Sequence, residues 1–229
     1  GDYEFMASRP LDLQWMVKLW NQRKVHGTYA ELIEANVVER LREPNDLYHH
    51  ARRSLAEARL REGATELAAA MEFGNVPFIA VRQASAVEGR ILDTFDVLRT
   101  WAPSEVQLLL STAIFDEASF DRVKFHHRSV REYLAAQWVS ARLTQSVPLS
   151  RLEPLFANRP NDELTLIPSR RPVLAWLAAI NVRVRSWVVS NFPDILLHEG
   201  DPQTWDQHSA DQAFKATSNN PAFGMIEAI

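Results

Sequence analysis

The sequence predicts a mainly α-helical protein: a helical bundle, then a module built around one small β-hairpin, then further helices. Three observations predict it. Apolar residues recur at intervals of three and four through most of the chain, the period of a helix face. Two runs, Thr28-Tyr29-Ala30-Glu31 and Ser129-Val130-Arg131-Glu132, have the form of capping boxes that open helices. Only around 114–126 does the pattern change to alternation on both sides of a short polar break, as a hairpin requires.

The elements follow in order. From Pro10, the residues Leu11, Leu13, Trp15, Met16, Leu19 and Trp20 form one apolar helix face. Proline suits the first turn, where the N–H it lacks would be unpaired anyway. Gly27 ends this run, and Thr28 and Glu31 cap a second helix carrying Leu32, Ile33, Val37, Val38 and Leu41 as far as Pro44. A third helix is expected over 49–71, rich in Ala, Leu, Arg and Glu, with Gly63 weakening its middle. Residues 78–81 are short and apolar, a strand or a buried turn. Residues 91–98 and 104–113 read as two short helices, the second with Pro103 near its start. The hairpin pairs 114–120 with 123–126 across Asp121-Arg122. Ser129 and Glu132 then cap a helix through Val130, Tyr133, Leu134, Val139 and Leu143. Helix, helix, hairpin, helix is the layout of a winged helix.

Beyond Gln145, Pro148, Pro154, Pro160 and Pro168 mark a looser connection. Residues 173–180 and 184–189 read as two more helices, with Trp176 and Trp187 on buried faces. The polar stretch 217–221 is expected to fray. The division that follows is a helical domain over 1–84, a winged-helix domain over 85–146 and a helical region over 147–229.

Composition excludes several classes of function. The chain has 229 residues, 46% hydrophobic and 24% charged, which is too apolar for wholesale disorder. Its net charge of −4 argues against a globally basic nucleic-acid binder. Cysteine is absent, so disulfides, cysteine-based zinc fingers and a thiol nucleophile are excluded. The charge is unevenly placed: residues 191–229 hold six acids against Lys215, leaving the rest nearly neutral. The first residues are no signal peptide and no apolar run reaches the ~18 residues of a spanning helix, so a cytoplasmic location without membrane contact is expected.

No phosphate loop, dinucleotide turn, nucleophile elbow or H-E-x-x-H run occurs. The histidine pairs His49-His50 and His126-His127 are adjacent, so they cannot chelate a metal as an i, i+4 pair does. One run concentrates chemistry: Phe125-His126-His127-Arg128-Ser129-Val130-Arg131-Glu132-Tyr133-Leu134-Ala135-Ala136. It sets two imidazoles and a guanidinium where a strand enters a helix N-terminus, a place that attracts anions through unpaired N–H groups and the helix dipole. There the imidazole of His127 could donate to a phosphate oxygen. The alternative is that Ser129 and Glu132 only cap, and the histidines pack beside the hairpin.

This run resembles the F-x-H-x-S-F-Q-E-Y/F-L-A-A signature that closes the winged-helix domain of NACHT-type STAND NTPases. Leu108 to Glu117 is similar to the helix and wing of bacterial members, and Ser8-Arg9-Pro10-Leu11-Asp12-Leu13 resembles the segment opening their first helical domain. The resemblance covers about residues 5–143; the region with Pro172 to Leu177 and Gly200-Asp201-Pro202 looks like the start of the family's C-terminal sensor. It implies the helical and winged-helix lid of a signalling ATPase, in which the winged-helix histidine, here His127, touches the β-phosphate of ADP. It implies that the helical-domain proline, here Pro10, packs near the adenine. ADP or ATP would be held only together with a nucleotide-binding domain, whose Walker motifs this sequence lacks, so the chain alone should not hydrolyse ATP. Signal transduction, antiphage defence and homo-oligomerisation on activation belong to the same implication. Val130 and Arg131 depart from the family's Phe and Gln.

Two other readings stand beside it. Arg122, Lys124, Arg128 and Arg131 against Asp121 and Glu132 give the wing a local charge of +2, which would suit a winged-helix DNA-binding module. The seven tryptophans would equally suit a helical protein-interaction scaffold, were they exposed around Trp176 and Trp187.

Overall fold

A computed structural model describes residues 10–23, 27–43, 55–81, 91–118, 121–144, 148–198, 201, 205 and 207–218. Helix α1 (Pro10–Arg23) begins at the predicted proline and buries Trp15 and Met16. Leu13 and Trp20, read from the sequence as part of the same apolar face, are 42% exposed instead. Helix α2 (Tyr29–Arg42) opens on the predicted capping box: Thr28 Oγ1 accepts the Glu31 N–H at 3.2 Å, and Glu31 Oε2 accepts the Thr28 N–H at 2.8 Å. Two orphan donors are thereby satisfied. Its inner face is Leu32, Ile33, Asn36, Val37 and Leu41.

Helix α3 (Glu57–Gly74) starts later than expected. Leu55 and Ala56 are not helical, and 49–54 lie outside the described residues. It runs three residues past Met71 and stops where Asn75 adopts a left-handed φ of 51°. Gly63 has a positive use. A Cβ there would stand 2.6 Å from both Trp101 and Leu109, so only glycine lets that pair reach the helix backbone.

The hairpin exists, but as half of a larger sheet. Strand β1 (Phe78–Ala80) runs parallel to β2 (Ile91–Asp93) and antiparallel to β4 (Arg122–Phe125), which pairs with β3 (Phe115–Ala118), giving the order β2-β1-β4-β3. The helix expected over 91–98 is therefore corrected: its first three residues form a strand, and only α4 (Thr94–Val97) is helical. Pairing Phe78 with Ile91 through Ala80 with Asp93 gives this segment ladder bonds that a four-residue helix could not, and Asp93 Oδ1 then accepts the Phe95 N–H at 2.9 Å to start α4. Helix α5 (Pro103–Leu110) follows, with Pro103 as its first residue. Asp121, at φ 54°, takes the left-handed turn into β4.

Helix α6 (Arg128–Thr144) is the axis of the molecule; α3 packs along one side and α8 (Arg171–Ile180) along another, the two most extensive helix contacts. Between α6 and α8 come α7 (Glu153–Phe156) and a two-stranded pair, β5 (Ala157–Asn158) with β6 (Thr165–Leu166). Helices α9 (Val182–Asn191), α10 (Pro193–His198) and α11 (Gln207–Ser218) complete the described chain. Thr217 and Ser218, expected to fray, close α11, and Thr217 is buried; 219–221 lie outside the described residues.

One continuous apolar core runs from Trp15 to Leu196, through Ile33, Leu67, Phe115, Leu134, Phe156 and Leu174. Each such side chain contributes about 1.5–3 kcal/mol on burial, so the residues on either side of 84 and of 146 share one driving force. Trp176 is buried between Tyr29 and Tyr133, ring centroids 5.2 and 5.3 Å away. No helix among the described residues is long and apolar enough to cross a membrane.

Candidate functional site at the junction of β4 and α6

Phe125 ends β4 and Arg128 begins α6, so His126 and His127 alone make the turn between sheet and axial helix. Their rings have opposite jobs. His126 Nδ1 lies 3.0 Å from the Ile114 carbonyl. A carbonyl only accepts, so Nδ1 carries the proton and Nε2 is left as a buried lone pair without a hydrogen-bond partner. Burial pushes this imidazole down to about 4; the Ile114 bond opposes the shift, and Arg40 and His127 add to it. His126 is therefore neutral near pH 7.

His127 Nδ1 instead accepts the Ser129 backbone N–H at 3.2 Å. A backbone N–H only donates, so Nδ1 is the lone pair and the neutral ring carries its proton on Nε2. His127 is thereby the N-cap of α6, satisfying one of the four donors a helix start leaves open. This corrects the capping box read at Ser129 and Glu132. The helix starts one residue before Ser129, because the imidazole supplies the cap, and Glu132 bonds Arg128 Nε at 2.6 Å instead of reaching back to the backbone.

Two buried acids stand behind the cap. Glu132 is 6% exposed, and burial pushes its carboxyl up to about 7 against the pull of Arg128, with neighbouring Glu72 adding to the rise. Glu72, on α3, forms an ion pair with Arg131. Lys124 faces Asp116 across the hairpin. The cations counted as a positive wing thus mostly have carboxylate neighbours.

Trp15 brings α1 to the junction. Its indole meets the His127 ring edge-on, 5.2 Å between centroids and 72° between planes, and the His126 ring at 5.8 Å and 61°. The helix begun by Pro10 and the histidine turn, 117 positions apart, therefore share a contact. Pro10 is the first residue of that helix; its side chain lies outside the described residues. Sequence reasoning placed Trp15 on an apolar face without its partner, and it noted Asp201 only within the sensor-like run Gly200-Asp201-Pro202, with no sign of a contact to α2. This carboxylate is 2% exposed and accepts the Ala30 N–H at 2.7 Å, an anion at the start of α2 supplied from 171 residues away. Among the described residues no group of three or more His, Asp or Glu is placed to hold a metal ion.

No protein-family model matches the chain, and no curated protein or solved structure is significantly similar to it.

Proposed function

We propose that the chain is the helical and winged-helix lid of a NACHT-type STAND signalling ATPase, with His127 as its phosphate contact. The observation that carries the reading is the His127 tautomer. With Nδ1 engaged by Ser129, the neutral ring has Nε2–H as its donor, at the positive end of a 17-residue helix. That is the chemistry a β-phosphate oxygen of ADP needs from a lid residue, the remaining contacts coming from a nucleotide-binding domain outside these residues. Pro10 near the adenine is carried by the resemblance, and the contact of its helix with His127 supports it.

The order of elements supports the winged-helix reading. Helix α3, strands β1 and β2, helices α4 and α5 and the β3–β4 hairpin follow one another, and β1 pairs with β4, the second strand of the hairpin, as well as with β2. DNA binding is disfavoured: α5, which would enter a groove, has the sequence PSEVQLLL and no cation. The scaffold reading loses its anchor with Trp176 in the core.

Bound ADP would favour the closed arrangement by binding it better than the open one. The test is His127→Ala in the full-length protein, with ADP quantified after denaturation of the purified protein. Lower ADP occupancy and higher basal activity are expected. Unchanged occupancy would overturn the reading.

A further inference from the structure

Helices α1 and α2 are attached to the rest of the molecule differently from the other large helices. Helix α6 is gripped by α3 and α8 over extensive apolar faces, whereas α2 meets α6 along a short one. Across that short interface lies a polar hub. The Glu34 carboxylate, on α2, accepts Arg61 Nη1 at 2.7 Å and Nη2 at 2.6 Å from α3, and Tyr133 Oη at 3.0 Å and Gln137 Nε2 at 3.4 Å from α6. Arg61 Nη2 also donates to Gln137 Oε1 at 2.8 Å, so the donors are ordered among themselves.

The exposure of the hub matters. Glu34 keeps 38% of its side-chain surface and Arg61 27%. Its carboxyl is held below the usual carboxylate range: burial pushes the other way, and the bonds and charge of Arg61, with Tyr133 and Gln137, overcome it. A charged group already near water loses little when an interface opens, because solvent replaces its partners. A buried pair would strand a charge instead. The hub therefore supports closure without stranding a charge on opening, while the buried Leu32, Ile33, Val37 and Leu41 of α2 set the larger, apolar part of the cost.

We propose that Glu34 is the latch of a separately opening unit, the α1–α2 pair, which closes on the rigid α3–α6–α8 core. When the pair is closed, Trp15 lies against His127; when it opens, that contact goes with it. The inference rests on the lid reading for its meaning, since it names what holds that site shut, but the opening is a property of this chain alone.

Hydrogen exchange on the 229-residue chain tests it, comparing Glu34→Gln and Glu34→Ala with the unaltered protein. Losing this half-exposed bidentate pair is expected to raise exchange in α1 and α2 about threefold to fivefold, with α3, α6 and α8 unchanged. Tyr133→Phe, which removes one donor and leaves a well-packed ring, is expected to give a smaller rise in the same two helices. A parallel rise in all helices, or none in α1 and α2, overturns the latch. Either result leaves the nucleotide reading standing, because ADP occupancy of the His127 variant decides that separately.

Discussion

The His127 imidazole accepts the backbone N–H of Ser129 through Nδ1, and that single bond sets both the start of α6 and the tautomer of the ring. One side chain thus serves helix structure and, on the lid reading, phosphate recognition. Substitutions can separate the two roles.

Asparagine is a good N-cap, alanine a poor one. His127→Ala should cost about 1 kcal/mol of stability and His127→Asn only a fraction of that. For a chain of this length the difference corresponds to a few degrees in Tm by differential scanning calorimetry. In the full-length protein the two variants should converge, both losing ADP, since neither presents a ring N–H. Ser129→Ala should leave the cap intact, because the backbone and not the hydroxyl makes the bond.

Two of the buried titratable groups beside this cap, Glu132 and His126, pull pH dependence in opposite directions. Glu132 has its carboxyl raised to about 7, so the native state holds a proton that the unfolded chain releases at lower pH. Its contribution is present below 4.5 and lost as pH rises through about 7. His126 is lowered to about 4 from 6.5, so its contribution is present above 6.5 and lost as pH falls toward 4. Glu132→Gln should therefore raise stability at pH 8 and flatten the urea-midpoint profile between pH 5 and 8. His126→Asn, which can keep a donor toward Ile114, should flatten the acid side instead. A profile unchanged in both variants would show that neither group governs it.

Gly63→Ala should destabilise the protein although alanine is the better helix former. The new methyl would meet Trp101 and Leu109 at 2.6 Å, in a packed part of the core. Overpacking costs about 1–3 kcal/mol against roughly 1 kcal/mol of helix propensity gained, so a net fall in Tm is expected. Gly63→Ala paired with Leu109→Ala should recover part of the loss attributable to crowding, read from thermal melts.

Asp201→Ala should loosen the first turn of α2 from a distance. It removes the carboxylate that accepts the Ala30 N–H, while Asp201→Asn keeps an acceptor. Faster amide exchange in the first turn of α2 with Ala, and a smaller change with Asn, are the expected outcomes. Equal exchange in both variants and the unaltered protein would show that Thr28 caps α2 alone.

The sequence by itself determined what local chemistry decides. Pro10 as a first turn, the Thr28–Glu31 capping box, the alternation of the hairpin and the apolar period of α6 and α8 need only neighbours within one helical turn or one strand pair. The run through His127 was legible as the chemically charged turn for the same reason. Tertiary structure decided the rest. Ile91 to Asp93 became a strand because β1, distant in sequence, offered ladder bonds, and Gly63 proved a point of contact because Trp101 and Leu109 lie over it. The Ser129–Glu132 box gave way to a histidine cap because Arg128 draws the Glu132 carboxylate and His127 reaches the Ser129 N–H. Glu34 carries no local signal, and the apolar face holding Trp15 and the run holding Asp201 do not reveal their contacts, since each residue acquires its role from a partner on another element. Local patterns fix where helices begin and which face is apolar; which face meets which is settled only when the whole core closes.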